Sequence, residues 1–203
     1  GVKSSTSNWS VENSAVINYM ACHDNNTIWD KLQLSNPDAT DEERFLMNRL
    51  GIEIIMLAKG TPFFLAGEEM LRTKGGDSNS YNSSDEVNNI DWDALEPGSM
   101  VYDMRAIYRS LIAMRGANSF LTDPEVEAVC RVREDNGIEI EYMKNKKPVA
   151  LAFINPNEAG MAVSVEAGLG VLLEGSTASA SPIRTTTGSE TVEGRSAMLL
   201  VMP

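Results

Sequence analysis

The strongest constraint on the fold is a change of rhythm near residues 117–124. Beyond Pro124 the chain breaks into short β-rich runs at 126–133, 138–143, 149–154, 161–165, 171–173 and 198–202. Polar turns separate the first of them: Asp135-Asn-Gly, then residues 145–148 and 155–159. This spacing predicts a small antiparallel β-sandwich. The earlier part reads differently. Residues 15–20 are nearly apolar throughout, as in a parallel strand covered on both faces. Thr40 and Glu43 have the spacing of a capping box, and Asp41 and Glu42 suit a helix N-terminus. Leu46, Leu50, Ile54 and Leu57 then recur at helical spacing through Lys59, with Gly60 and Pro62 as the stop. A second apolar strand is predicted at 62–66, which makes a βα repeat of a parallel sheet. Ser99 caps another helix, with Met100, Met104, Ile107, Tyr108, Leu111 and Met114 on one face as ordinary core. The fold class is therefore α/β plus all-β, with domains over 1–118 and 119–203.

Two stretches lie outside this scheme. Residues 1–14 are polar around a single Trp9 and read as a loop. Residues 67–98 are rich in Gly, Ser, Asn and Asp. A loop that long inside a domain is usually functional or disordered. Tyr81, Val87, Ile90 and Trp92 favour order here.

Charge narrows the partners. There are 17 Lys and Arg against 29 Asp and Glu, a formal charge of −12. An acidic surface repels phosphate backbones and anionic lipid, which argues against nucleic acid and membrane, and leaves neutral sugars or peptides unpenalised. The longest strongly apolar runs, 54–58 and 198–202, fall far short of the ~20 residues that cross a bilayer. The two cysteines, Cys22 and Cys130, are expected as free, partly buried thiols, and no Cys/His spacing suggests zinc. Few cysteines and no visible leader favour the cytoplasm. The start Gly-Val-Lys-Ser-Ser suggests an N-terminus cut from something longer.

The chemistry centres on His23-Asp24, a polar pair just beyond the first buried strand. In parallel α/β folds, loops at the strands' C-terminal ends build the site. A carboxylate beside an imidazole there can bind sugar hydroxyls and stabilise positive charge at an anomeric carbon. The same residues also fit a solvated His beside a helix-capping Asp. A Cys22-His23 nucleophile is disfavoured, because neighbours at a strand end diverge.

Three blocks carry a resemblance. Val16-Ile-Asn-Tyr-Met-Ala-Cys-His-Asp-Asn-Asn-Thr-Ile-Trp-Asp-Lys-Leu32 resembles the fourth shared region of the α-amylase superfamily in its type I pullulanase form. Gly60-Thr-Pro-Phe-Phe-Leu-Ala-Gly-Glu-Glu-Met-Leu-Arg-Thr-Lys74 resembles the seventh region, and Asn79-Ser-Tyr-Asn-Ser-Ser-Asp-Glu-Val-Asn-Asn-Ile-Asp-Trp92 the loop after it. Together they cover about residues 10–116. Beyond residue 120 no comparable signature is present.

The resemblance implies a (β/α)8 TIM barrel, of which this chain holds the last two βα units: strand 15–20, helix 41–59, strand 62–66 and helix 100–115. It implies retaining hydrolysis of α-1,6 links in pullulan, glycogen or starch. Asp24 becomes the transition-state stabiliser and His23 a hydrogen-bond donor to the same sugar. Asp85 and Asn88 line the next donor subsite, and Asn89 stands where several relatives have Arg. Arg72 and Lys74 match the family's Arg-Thr-Lys run, with Arg72 a candidate substrate contact and holding the loop as the alternative role. Trp29 and Tyr81 are candidates for stacking on sugar rings, with core packing as the alternative. Trp92 and the pair Glu68-Glu69 read as structural. No cofactor is expected: residues 77–86 fail the EF-hand pattern at Asn82, and calcium held by another loop geometry is the alternative.

In this family the nucleophilic Asp and the acid Glu follow the fourth and fifth barrel strands, ahead of residue 1. The chain alone is therefore expected to be inactive, with the N-terminal barrel part as its partner and an α-glucan as substrate. An apolar patch around Ile17, Tyr19, Phe63 and Leu65 is expected, relieved by dimerisation or rearrangement. The alternatives are a stand-alone carbohydrate-binding or scaffold module and an isoamylase-like or glycogen-debranching relative.

Overall fold

The computed structural model describes residues 15–203, so the loop expected over 1–14 lies outside the described residues. The first part begins with strand β1 (Ile17–Asn18), then helices α1 (Ile28–Ser35) and α2 (Asp41–Leu57), then strand β2 (Thr61–Pro62). β1 and β2 pair in parallel, Ile17 against Thr61 and Asn18 against Pro62. The sequence predicts longer strands, over 15–20 and 62–66. Two parallel strands with no third alongside are marginal, and the ladder ends after two pairs.

The start of α2 follows its sequence signal closely. Thr40 Oγ1 accepts from the Glu43 amide at 3.2 Å, and Glu43 Oε2 accepts from the Thr40 amide at 2.8 Å. Its inner face departs from the apolar stripe. Ile54 is exposed, while Asn48, Arg49, Ile52, Glu53, Ile55, Met56 and Leu57 are buried. Two of the polar members meet the chain at the start of its last strand: the Ala197 amide donates to Glu53 Oε2 at 2.8 Å, and Arg49 Nη2 donates to the Arg195 carbonyl at 3.1 Å. Arg49 Nε lies 3.4 Å from Glu53 Oε1. Burial pushes the Glu53 carboxyl up to about 8, against the opposing pull of Arg49 and the Ala197 amide.

After β2 the chain forms 3-10 turns at Glu68–Met70 and Ser80–Asn82, the short helix α3 (Asp85–Asn88) and the long helix α4 (Met100–Ala117). Ser99 caps α4 by accepting from the Tyr102 amide at 3.1 Å. Met104, Ile107, Tyr108, Leu111 and Met114 are buried along one face, as their spacing predicts.

The β-rich part comprises β3 (Glu127–Val132), β4 (Ile138–Lys144), β5 (Lys147–Asn155), β6 (Met161–Ser164), β7 (Gly170–Glu174), β8 (Thr177–Ala178), β9 (Arg184–Thr185), β10 (Ser189–Val192) and β11 (Ser196–Val201). A seven-stranded sheet runs β3-β4-β5-β11-β7-β8, with β9 also on β7. All its pairings are antiparallel. The β3–β4 turn uses Asn136 at φ 64°, a left-handed conformation that Asn tolerates. β6 and β10 form a second, two-stranded sheet. One face of the large sheet, with Phe153, Met198 and Leu200, packs on Met161, Val163 and Val192 of the small one. The other face, with Ile140, Tyr142, Leu173 and Leu199, shares a continuous core with α2 and α4.

The junction between the two parts is polar, with most of its backbone carbonyls taken up by side chains. Arg115 is buried in the last turn of α4 and donates to the carbonyls of Met56 at 2.5 Å, Ala58 at 2.8 Å and Gly60 at 2.7 Å. The Tyr142 hydroxyl donates to the Leu57 carbonyl at 2.7 Å. Lys59 Nζ donates to Phe120 O at 2.9 Å and Asp123 O at 2.7 Å, and burial lowers its pKa to about 8. Helix α2 ends at Leu57, short of the expected Lys59, because its terminal carbonyls are captured from the side instead of continuing the helical ladder. Among the described residues no helix is long and apolar enough to cross a membrane.

Candidate functional site

The site grows from the end of β1. Thr61 N–H donates to Val16 O at 2.8 Å and Phe63 N–H to Asn18 O at 2.9 Å, which sets the two strands side by side. Beyond β1 the chain reaches His23 and Asp24, whose side chains are 85% and 75% exposed with 3.6 Å between Nε2 and Oδ2. They border a cleft of about 190 Å3, shared with Lys74, Ser78, Asn79, Ser80, Tyr81 and Asn88. Among the described residues, Asp24 is the one carboxylate lining this cleft.

The far wall is a loop held from within. Lys74 Nζ is buried and donates to Ser80 Oγ at 2.6 Å, and Ser80 Oγ donates to Asn88 Oδ1 at 3.0 Å. Asn88 Nδ2 returns a bond to Ser80 O at 2.7 Å. Arg72 pins the loop's other end, donating to Asn89 O and Ala66 O at 3.1 Å each and also to Asn88 O. Gly67, at φ 91°, leaves room for that side chain: a Cβ there would stand 2.7 Å from Arg72 Cδ. The buried Asp30 ties the loop to α1. Its Oδ2 accepts from the Lys74 amide at 2.8 Å and its Oδ1 from the Thr73 hydroxyl.

Of the sequence candidates, His23, Asp24, Tyr81 and Asn88 therefore meet at one cleft. Tyr81 is 84% exposed at its rim. Asp85 is exposed in the first turn of α3 and does not line the cleft. Arg72 contacts backbone carbonyls of the loop. Trp29 is 8% exposed and belongs to the main core, so neither ring face is open to a ligand. Trp92, read as packed, is instead 64% exposed. Asp30 was not anticipated. The signal for it was present in Thr27-Ile-Trp-Asp30: Thr27 Oγ1 accepts from the Asp30 amide at 3.2 Å and starts the overlooked helix α1.

The other carboxylates near β2 are occupied. Glu68 is buried, accepting from Tyr108 Oη at 3.0 Å and from the Leu65 amide at 3.1 Å, and burial raises its pKa to about 7. Glu69 Oε2 accepts from the Gly67 amide at 2.9 Å. Asp77 accepts from the Asn79 amide at 2.9 Å and the Ser83 hydroxyl at 2.6 Å. Among the described residues no group of three or more His, Cys, Asp or Glu converges on a point that could hold a metal. Cys22 is half-buried, Cys130 is exposed rather than partly buried, and both are free. Ile17, Tyr19 and Phe63 are exposed, Leu65 is half-buried, and the rings of Tyr19 and Phe63 meet edge to face at 6.0 Å.

No protein-family model matches the chain. The pullulanase of Bacillus subtilis (strain 168) is 44% identical over 107 residues, which is 53% of this chain and 14% of that protein. Two solved structures align over nearly the whole chain. The pullulanase from Bacillus acidopullulyticus gives a TM-score of 0.82 at 28% identity, covering 93% of this chain and 24% of that one. Pullulanase type I from Bacillus subtilis str. 168, complexed with maltose, gives 0.78 at 27% identity, covering 94% and 28%. The chain thus spans less than a third of these relatives' length. It is similar, in sequence over about half of its length and in fold over nearly all of it, to a portion of these pullulanases.

Proposed function

We propose that this chain is the closing wall of an α-1,6-glucan debranching site, part of a longer polypeptide folded as a (β/α)8 barrel. β1 and β2 are then its seventh and eighth strands, with α2 and α4 as the helices that follow them. The substrate is a neutral α-glucan such as pullulan, glycogen or starch. The observation that carries this reading is the His23–Asp24 pair at the C-terminal end of a strand parallel to β2, facing a cleft with Tyr81 and Asn88.

A retaining glycosidase needs two carboxylates ~5–5.5 Å apart, one as nucleophile and one as general acid. The cleft offers Asp24 alone, and Glu68 is engaged by Tyr108 and the Leu65 amide. The nucleophile and acid therefore come from the upstream portion. Asp24, exposed beside His23, accepts hydroxyls of the sugar being cleaved and opposes the positive charge growing at its anomeric carbon. His23 donates to the same sugar. Asn88 borders the next donor position, with Tyr81 offering a ring face there, and Asp85 stands on the same short helix just outside the cleft. Arg72 and Asp30 act indirectly, by fixing the loop that carries Asn88 and Tyr81.

The test is release of reducing ends from pullulan. The purified 203-residue chain gives none, the longer polypeptide is active, and Asp24→Asn lowers its turnover by about 10²–10³-fold, the range for removing one charge-stabilising contact. Turnover by the 203-residue chain alone would overturn the proposal. Glycan binding by a protein with no upstream barrel would favour a stand-alone binding module.

A further inference from the structure

Among the described residues two lysines, Lys59 and Lys74, are buried, and their ammonium groups are met differently. Lys59 Nζ has two carbonyl acceptors, Phe120 O and Asp123 O. Lys74 Nζ has one acceptor, Ser80 Oγ at 2.6 Å, and makes no ion pair among the described residues. Asp77 feels its charge but gives its oxygens to the Asn79 amide and the Ser83 hydroxyl. An ammonium carries three N–H donors and no acceptor, so two donors of Lys74 have no protein partner. Buried donors are costly unless something receives them. Lys74 has an open side where that can happen, because it lines the cleft that His23 and Asp24 border.

The bonds behind Lys74 run in one direction. Lysine can only donate, so Ser80 Oγ accepts from it and sends its single proton onward, to Asn88 Oδ1 at 3.0 Å. The carbonyls of Ser80 and Ser83 can only accept, so they face Asn88 Nδ2, at 2.7 Å and 3.3 Å. Both N–H groups of the Asn88 amide are thereby taken, and its oxygen already receives one bond. Asn88 has no donor left for a sugar. The donor at this wall is Lys74, in a cleft whose one carboxylate among the described residues is Asp24.

We infer that Lys74 is a substrate-binding residue that donates to a hydroxyl of the glucan in this cleft, with Ser80 and Asn88 as positioning residues behind it; the identity of the ligand rests on the debranching reading. The chemistry of the walls selects a neutral polyol. A sugar hydroxyl accepts from Lys74 and, through itself or its neighbour on the ring, donates toward Asp24. A phosphate or carboxylate would also satisfy the ammonium, but it would set its charge against the Asp24 carboxylate. Met in place of Lys74 would leave Ser80 without its donor and the hydroxyl without its partner, whereas loss of Ser80 would only let the ammonium drift.

The experiment uses the longer polypeptide and a maltooligosaccharide with one α-1,6 branch, supplied intact and as a set of singly deoxygenated derivatives. Lys74→Met keeps the apolar stem and removes the donors. With the intact sugar it lowers kcat/KM about 10–10²-fold, the range for one hydrogen bond to a charged group. One derivative loses a similar factor with the unaltered enzyme and loses nothing further in K74M. Ser80→Ala lowers kcat/KM by less, and S80A/K74M falls no further than K74M, because Ser80 acts through Lys74. Unchanged kcat/KM in K74M overturns the inference, as does a loss that is the same factor for the intact sugar and every derivative. If K74M shows no cooperative thermal unfolding, Lys74→Gln takes its place. It keeps a neutral donor, so the penalty for that one derivative shrinks without vanishing, and penalties unchanged in K74Q overturn the inference. Pullulan hydrolysis by the longer polypeptide is scored first. Its absence fails the debranching reading and this inference with it, whereas hydrolysis with derivative penalties that Lys74 does not alter fails this inference alone.

Discussion

The strand pair β1–β2 and the strands β5 and β11 are built from similarly apolar sequence, yet they fare differently. Ala197, Met198, Leu199 and Leu200 are each at most 1% exposed, held between β5, β7 and a covering layer on each face. Ile17 and Tyr19, in the equally apolar run 15–20, are 62% and 54% exposed. Apolar composition shows that a strand is meant to be covered, but neighbours do the covering. Where they are missing, the ladder shrinks to two residues and aromatic edges face water.

The largest effect tests this contrast directly. Leu199→Ala costs about 2–5 kcal/mol in urea unfolding, because it opens a cavity in a closed core. Ile17→Ala stays within about 0.5 kcal/mol in the same chain, since its side chain is already in water. Equal costs would erase the distinction.

The link between the two parts through Glu53 comes next. Its folded pKa of about 8 lies above the ordinary 4.5, so the folded state holds the proton more tightly. The stabilisation is complete below pH 4.5 and is lost as pH rises through 8. Thermal melts should fall by roughly 5–10 °C across that window, and Glu53→Gln should flatten the slope. A wild-type profile that is flat or rises with pH would show that Arg49 keeps the carboxylate ionised.

Arg115 joins the same parts through carbonyls instead of a carboxylate. Arg115→Met should cost about 2–3 kcal/mol, the range for charge-assisted bonds left unmade, measured by chemical unfolding. The smallest effect belongs to the cleft. Asp24→Asn should shift stability by under about 0.5 kcal/mol while its proposed effect on turnover is large. A substantial loss of stability would recast Asp24 as structural.

Local chemistry was legible in the sequence. The capping box Thr40–Glu43, the buried stripe of α4 and the Asp135-Asn-Gly turn each involve neighbours within a few residues, and each forms as read. The adjacent pair His23–Asp24 was legible for the same reason. Contacts across the chain were not. Nothing near Glu53 announces that its partner is the Ala197 amide, 144 residues away, so the inward face of α2 was misjudged. Trp29 reads equally as a sugar platform or as core until Met56 and Leu57 are seen in the same cluster. β10 was missed because Ser189-Glu-Thr-Val192 is mostly polar, and its alternation makes sense only once β6 lies beside it.

The carbonyl of Leu57 and the hydroxyl of Tyr142 that satisfies it are 85 residues apart. At ribosomal speeds of roughly 5–20 residues per second, the end of α2 waits about 4–17 s for the group that seals it. Until then water must occupy that place, so α2 can be formed early but not locked. Translation products that stop short of β4 would leave this helix end open.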